Sequence, residues 1–379
     1  VSLLRMRPVA TRAMIETFDD RATVNDALAF EVALARAQAA EGIIASDHAA
    51  AIEMAVAAFV IDPAHLAEEA ALAGTLAIPL VKALRTTLAD DAAAALHRGA
   101  TSQDVADTVL MLQIRRGAEL LLADVDRVTA ALAPLARHHA GMPAIGRTLL
   151  QDAQPIGFGL RVAQWHAGIA AAAARVQLEV AGNASLQWGG AAGTRSDQDG
   201  RSAEIAARLA QALGLADAPP WHARREGMAG IAAATGILIG ALAKMARDIA
   251  LLAQNAIGEA REPAVAGRGG SSAMAHKRNP TGCQVALSAA TRAPGLVGGI
   301  LAALPAEEER GVGGWQAEGP MLVDLFLLAS GATEAMATVA EGLEIDVDAI
   351  ARNLATAGQG ADIGDSITLV EALLDIGKG

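Results

Sequence analysis

Residues 104–139 read DVADTVLMLQIRRGAELLLADVDRVTAALAPLARHH. Leu110, Ile114, Gly117, Leu121, Val125, Val128, Leu132 and Leu135 step by three or four through it, which lays them along one stripe of a helix. Such a stripe, sustained over many turns, is that of a long bundle helix, with a kink expected at Pro134. Working outward, four more long helices are predicted, over Pro155–Ala181, His222–Ala256, Pro280 to about Leu304, and about Gly319 to Glu341. Five long helices across roughly 97–340 read as one bundle. Ahead of it, Asn25 and Asp26 suit an N-cap and Gly42 a stop, Ser46 opens a helix through Ala58, and 62–91 reads as short helices broken at Pro63, Gly74 and Pro79. Asp346 and Asp348 are candidate caps for a short tail. The fold class is therefore all-α, with an N-terminal helical domain (1–96), a central long-helix bundle (97–340) and a short C-terminal helical segment (341–379).

Composition agrees with that reading. Hydrophobic residues make up 53% of the 379, charged residues 19% and aromatics 2%, with no tyrosine, so the core rests on alanine and leucine, the best helix formers. Alanine faces bury little area per helix, which favours a bundle shared between subunits. A net charge of -12 without a basic stripe argues against nucleic acid as a partner. The single cysteine, Cys283, excludes an internal disulfide and reads as a small buried hydrophobe. No histidine–carboxylate group has metal-ligand spacing and no dinucleotide fingerprint occurs, so no cofactor and no metal are expected. The longest uncharged run, Gly227–Ala243, has 17 residues and four glycines, which suits close helix packing better than a membrane span. The start lacks a signal peptide's apolar core. A cytoplasmic protein without membrane association is expected.

Three polar segments interrupt the apolar helices. His97-Arg98-Gly99-Ala100-Thr101-Ser102-Gln103-Asp104 precedes the 104–139 helix and offers two hydroxyls beside free helix N–H groups, which suits a carboxylate. Ordinary capping would need only one such residue. Gly146-Arg147-Thr148-Leu149-Leu150-Gln151-Asp152-Ala153-Gln154-Pro155 joins two long helices and by itself reads as a solvated loop. Gly267-Arg268-Gly269-Gly270-Ser271-Ser272-Ala273-Met274-Ala275-His276-Lys277-Arg278-Asn279-Pro280 combines glycines, serines and cations ahead of another helix. There Asn279 and Pro280 suit the N-cap and first turn, and Lys277 with the helix N-terminus makes an anion site.

This last segment resembles the GSSxMPxKxNP signature of the fumarase/aspartase superfamily, the first resembles its GxTSxD block and the second its GRTxxQxAxP block, in the family's order and spacing over about residues 20–345. Within the superfamily the chain looks most like the branch that lactonises carboxymuconates, on GRGGSSAMAHKRNP, HRGATSQDVADT, AIPLVKALR (77–85), PWHARRE (220–226) and EERGVGGWQAE (308–318). Two positions depart from the wider pattern: Leu149 stands at or near the position where fumarases, argininosuccinate lyases and adenylosuccinate lyases carry a histidine, which the lactonising branch also lacks, and Ala275 stands where the signature has proline.

The resemblance implies a fumarase/aspartase-type homotetramer with a twenty-helix core, each active site drawing its three blocks from three chains. It implies Ser271 as the proton-transfer residue and Thr101, Ser102, Thr148, Gln151, Lys277 and Asn279 as carboxylate-binding residues, with His97 as an assisting acid. Ser272, Met274, His276 and Arg278 neighbour the motif, and Trp315 and Arg225 are candidates to line the site. The implied reaction closes 3-carboxy-cis,cis-muconate, or a 3-substituted analogue such as a sulfomuconate, to its lactone. The substrate is thus a small polycarboxylate. The competing readings are an adenylosuccinate lyase-like intermolecular lyase, which wants a histidine acid, and a silent structural tetramer, which has no use for Ser271 and Lys277 together.

Overall fold

The computed structural model describes residues 2–270, 274 and 277–376. Two short helices, α1 (Leu3–Met6) and α2 (Arg12–Thr17), lead into α3 (Asp20–Ala40). Its N-cap is Asp19, whose side chain accepts from Ala22 N–H at 2.7 Å, so the helix starts earlier than Asn25. The short helices α4 (Ser46–Ala58), α5 (Pro63–Ala73), α6 (Ala77–Arg85) and α7 (Asp90–Ala95) follow. Pro63 opens α5 and Gly74, at φ 72°, ends it. Pro79 breaks nothing: it is the third residue of α6, where its missing N–H has no intrahelical acceptor.

The five long helices are α8 (Ser102–His138), α9 (Phe158–Asn183), α11 (Glu226–Leu252), α12 (Thr281–Ala302) and α13 (Gly314–Glu341), with α10 (Ser202–Leu213) between the second and third. Along α8 the expected stripe is inward: Ile114, Leu121, Val125, Val128 and Leu132 are all buried, and Pro134 sits inside the helix near its end. These residues share one core with Phe158, Trp165, Leu238 and Phe326 from the neighbouring helices.

A second core unites Phe30, Leu34, Ile52, Leu80 and Leu84 with Trp188, Ile205 and Leu209. Residues 186–210 therefore pack with the N-terminal helices, through α10 against α3, although they lie inside the stretch that sequence assigned wholly to the bundle.

Against the all-α background stand a hairpin, β1 (Pro143–Thr148) and β2 (Gln151–Gly157), and a two-residue pairing of β3 (Ala260–Arg261) with β4 (Glu344–Ile345). The hairpin takes Pro155–Gly157, so α9 starts at Phe158. Two helices, α14 (Val347–Ala357) and α15 (Ser366–Leu374), close the chain.

α11, α12 and α13 are each long and apolar enough to cross a membrane, with 61%, 22% and 78% of their apolar windows buried within the chain. Of these three helices α12 is the least covered within the chain.

Candidate active site

At the Ser102 end of α8 a buried carboxylate organises the first polar segment. Asp104 accepts from Thr101 N–H at 2.9 Å, from Gly189 N–H at 2.9 Å and from Gly190 N–H at 3.0 Å, and its Oδ1 lies 2.7 Å from His222 Nε2. A side chain at position 190 would be strained by φ 72° and would press on Gly99 O at 2.9 Å, so glycine there permits the close approach. Trp221 and His222 are thereby packing elements, buried beneath the segment.

The hydroxyls are not open to solvent alone. Arg310, on the loop between α12 and α13, donates to Thr101 Oγ1 at 2.8 Å, to Ser102 Oγ at 3.3 Å and to Gln103 Oε1 at 3.3 Å. A guanidinium held on two hydroxyls is a ready carboxylate receptor. Sequence reading passed over Arg310, whose one signal was its place in EERGVGGWQAE, between the acidic run and Gly311. Trp315 lines, with Ser102, Asp107, Thr75 and Pro320, an adjoining cavity of about 350 Å³.

One turn deeper, Arg225 forks onto Asp107 at 2.8 and 3.0 Å and onto Glu318 at 2.9 and 2.6 Å, all three side chains being buried. This makes Arg225 a structural cation rather than a free substrate ligand. Burial pushes the Glu318 carboxyl above the usual range despite the opposing pull of Arg225, and the fields of the two carboxylates hold Arg225 charged against its own desolvation.

The second segment is a hairpin, not a loop. Thr148 and Gln151 face each other across its tip. Between them Leu149 and Leu150 adopt φ 52° and 64° and are 92% and 80% exposed, the double left-handed pattern of a type I′ turn. Arg147 anchors the hairpin to the buried Glu259 at 3.0 and 2.6 Å, and that hydrogen-bonded pair raises the Arg147 pKa. A cavity of about 920 Å³ opens beside it, with Arg147, Thr148, Gln154, Arg161, Lys244 and Asp248 among its lining.

Of the third segment, Ser271, Ser272 and His276 lie outside the described residues. Lys277 is exposed and Met274 is 44% exposed. Asn279 folds back, its N–H on Gly269 O at 2.8 Å and its Nδ2 on Gly270 O at 3.2 Å. Arg278 clamps Glu344 at 2.9 Å and donates to Glu262 O at 2.6 Å, which ties it into the scaffold.

Two expectations are corrected here. The N-cap of α12 is Pro280, not Asn279, and the first-turn N–H groups are not free: Gly282 N–H donates to Glu262 Oε2 at 2.9 Å and Cys283 N–H to Oε1 at 2.6 Å. The chain's own carboxylate fills the anion site that the sequence offered to a substrate, because a buried helix start must find partners. The Cys283 thiol is buried, and that burial, reinforced by Glu262, pushes its pKa far up, so it is an inert hydrophobe.

Among the described residues, the first and second segments do not meet within one chain. The first lies at the start of α8 and the second beyond its end, and 37 helical residues span about 55 Å. The pair Arg147–Glu259 puts the second segment beside the strand that leads into the third, while Arg310, Arg225 and Glu318 belong to the first segment's end.

A family model described as lyase matches residues 6–295. A 3-carboxy-cis,cis-muconate cycloisomerase of Bradyrhizobium diazoefficiens is 44% identical over 368 residues, covering 96% of this chain and 81% of the relative. A nitrosuccinate lyase of Streptomyces davaonensis is 40% identical over 340 residues, covering 86% and 72%. Among solved structures, the 3-carboxy-cis,cis-muconate lactonizing enzyme of Pseudomonas putida superimposes with a TM-score of 0.87 at 36% identity, covering 99% of this chain and 87% of that one.

Proposed function

This chain belongs to the lyase family, and from that membership we propose that it closes 3-carboxy-cis,cis-muconate, or a 3-substituted analogue such as a sulfomuconate, to its lactone. One substrate carboxylate attacks the alkene carbon beta to a second carboxylate. The alkene electrons move onto that second carboxylate as an enediolate, and the alpha carbon then takes a proton. The nucleophile belongs to the substrate, so the protein supplies position, charge and one proton. Lys277 and Asn279 hold the accepting carboxylate, Ser271 delivers the proton, and Thr101, Ser102, Thr148 and Gln151 hold the remaining carboxylates, with Arg310 added to the first pair.

The observation that carries the reading is the hairpin tip. Thr148 and Gln151 offer hydrogen bonds for a carboxylate, but the side chains between them are the exposed Leu149 and Leu150. No titratable group stands at that tip, which suits an intramolecular addition better than a lyase that needs an acid there for a leaving group. The nitrosuccinate lyase among the relatives supplies a second reading, elimination from a succinate.

The same proposal includes the assembly. A chain whose polar segments lie about 55 Å apart along α8, and whose α12 is mostly uncovered, completes a site by joining unlike ends of several copies. A homotetramer in the cytoplasm is the form proposed. The test is a spectrophotometric screen of the purified protein with 3-carboxy-cis,cis-muconate, a 3-sulfomuconate, nitrosuccinate and adenylosuccinate. Loss of diene absorbance with a muconate is expected; turnover of a succinate alone overturns the reading.

A further inference from the structure

A further ion pair, with its carboxylate on α3, stands behind the first polar segment. Glu31 is 1% exposed, and its Oε1 lies 2.6 Å from His97 Nδ1. Its other oxygen, Oε2, is buried and has no hydrogen-bond partner among the described residues, so the carboxylate is held for His97 alone. His97 has φ 62°, a left-handed conformation that costs a side-chain-bearing residue energy and persists where the surroundings enforce it. Enforcement comes from the same loop: Gln38 Nε2 donates to Arg98 O at 2.8 Å and Arg98 Nη1 to Ile43 O at 3.0 Å, which pins the neighbouring residue from two sides. The His97 side chain keeps 16% of its surface exposed. A buried carboxylate on one ring nitrogen, with the other left for a ligand, is the arrangement that fixes a histidine's tautomer and orientation.

We propose that Glu31 is a positioning residue, which fixes the His97 ring by Nδ1 and keeps it a cationic hydrogen-bond donor to the substrate carboxylate held at Thr101, Ser102 and Arg310. The inference rests on the proposed polycarboxylate substrate. Burial is the largest single influence on His97 and opposes its charge, and Arg85 of α6 opposes it as well. The field and hydrogen bond of Glu31, with the field of Asp104 from α8, outweigh both and leave the imidazole pKa raised. The imidazolium therefore persists to higher pH than in a free histidine, and the donor is lost as pH rises through the raised pKa.

The test is ¹³C-histidine NMR titration of the assembled protein and of Glu31→Gln, with the His97 signal assigned through His97→Asn, together with KM against pH for the muconate. The expected result is a lower His97 pKa in Glu31→Gln, with the rise in KM moved to lower pH and KM at neutral pH increased about tenfold, while kcat changes less. An unchanged His97 titration, or a KM profile that does not move although stability falls, overturns the proposal and leaves Glu31 a packing residue. If Glu31→Gln does not fold, His97→Asn decides alone: the pH-dependent rise in KM must vanish. Failure to turn over any muconate would defeat the functional reading, yet the NMR arm still reads the pair.

Discussion

The two ends of the bundle are built on opposite plans. At the Thr101 end the charged side chains are tied to partners within the chain: Asp104 collects two glycine N–H groups and His222, Arg225 bridges Asp107 and Glu318, and Arg310 covers two hydroxyls. At the other end the hairpin pushes two leucines into solvent and Lys277 stands exposed. In the proposed reading the first end receives a carboxylate, and the second carries parts anchored at Glu259 and Glu262. The difference has the form of a socket and a plug on the same molecule. In the assembly proposed above, a complete site forms when the plug of one copy enters the socket of another.

The sharpest way to break this comparison is to damage the ends separately. Thr101→Ala spoils the socket and Ser271→Ala the projecting side, and each homogeneous variant should lose turnover, the serine variant by about a hundred- to ten-thousand-fold if it moves the proton. Co-expressed with different tags and purified as mixed oligomers, the two should regain measurable activity, because some sites then contain neither defect. Mixed oligomers as inactive as the parents would mean that both segments serve one site from one chain, against the 37-residue helix that separates them.

The next largest effect tests whether the socket is self-satisfied. Arg225→Met strips two buried carboxylates of their cation and should cost about 3–5 kcal/mol in denaturant unfolding. The loss has a pH sign. Glu318 already titrates above its usual range, so between its unfolded and folded pKa values the native state binds more protons, and stability falls as pH rises. Without Arg225 that slope steepens. The variant's deficit should be smaller at pH 5 than at pH 7, and adding Glu318→Gln should close most of the gap between the two.

How far the sequence could be read follows the same division. The long helices were legible because a stripe repeating every three or four residues has no other reading, and Ile114, Val125 and Leu132 are buried as it requires. The hairpin was not, since Gly146-Arg147-Thr148 and Asp152-Ala153-Gln154 lack β-branched alternation; what makes β1 and β2 is the two-residue turn and the tether of Arg147 to Glu259. α10 escaped because its Ile205 and Leu209 face α3, far away in the chain. Thr101, Ser102 and Thr148 were legible as polar residues between apolar helices, whereas Arg310 and Glu31 reach the first segment only through tertiary structure. The anion site at α12 misled for one reason: the pattern shows that a helix start wants a negative charge, not that Glu262 already supplies it.

That internal cap gives a smaller prediction. Glu262→Ala removes a carboxylate that accepts from two first-turn N–H groups, and should cost about 2 kcal/mol in thermal or denaturant unfolding. The Cys283 thiol beneath it should also lose part of its protection, since Glu262 helps hold its pKa up. Native-state labelling with iodoacetamide at pH 8 should be undetectable in the wild type and slow but measurable in the variant. Equal labelling in both would show that burial alone protects the thiol.

The smallest effect is the most telling, because it sets stability against function at one turn. Leu149 and Leu150 hold left-handed φ values that favour Asn and Gly, and they expose apolar surface while doing so. Selection for folding alone would not keep leucines there. Replacing the pair by Asn-Gly should relieve the strain and raise stability by about 1 kcal/mol, glycine's greater unfolded-state freedom offsetting part of the gain. If the tip enters the socket of another copy, the same change removes the apolar body that fills it, so KM should rise while melting temperature climbs. Steady-state kinetics beside a thermal melt separates the outcomes. A variant that is more stable and equally active would mean that the leucines touch nothing in the assembly, and the hairpin would then contribute only Thr148 and Gln151.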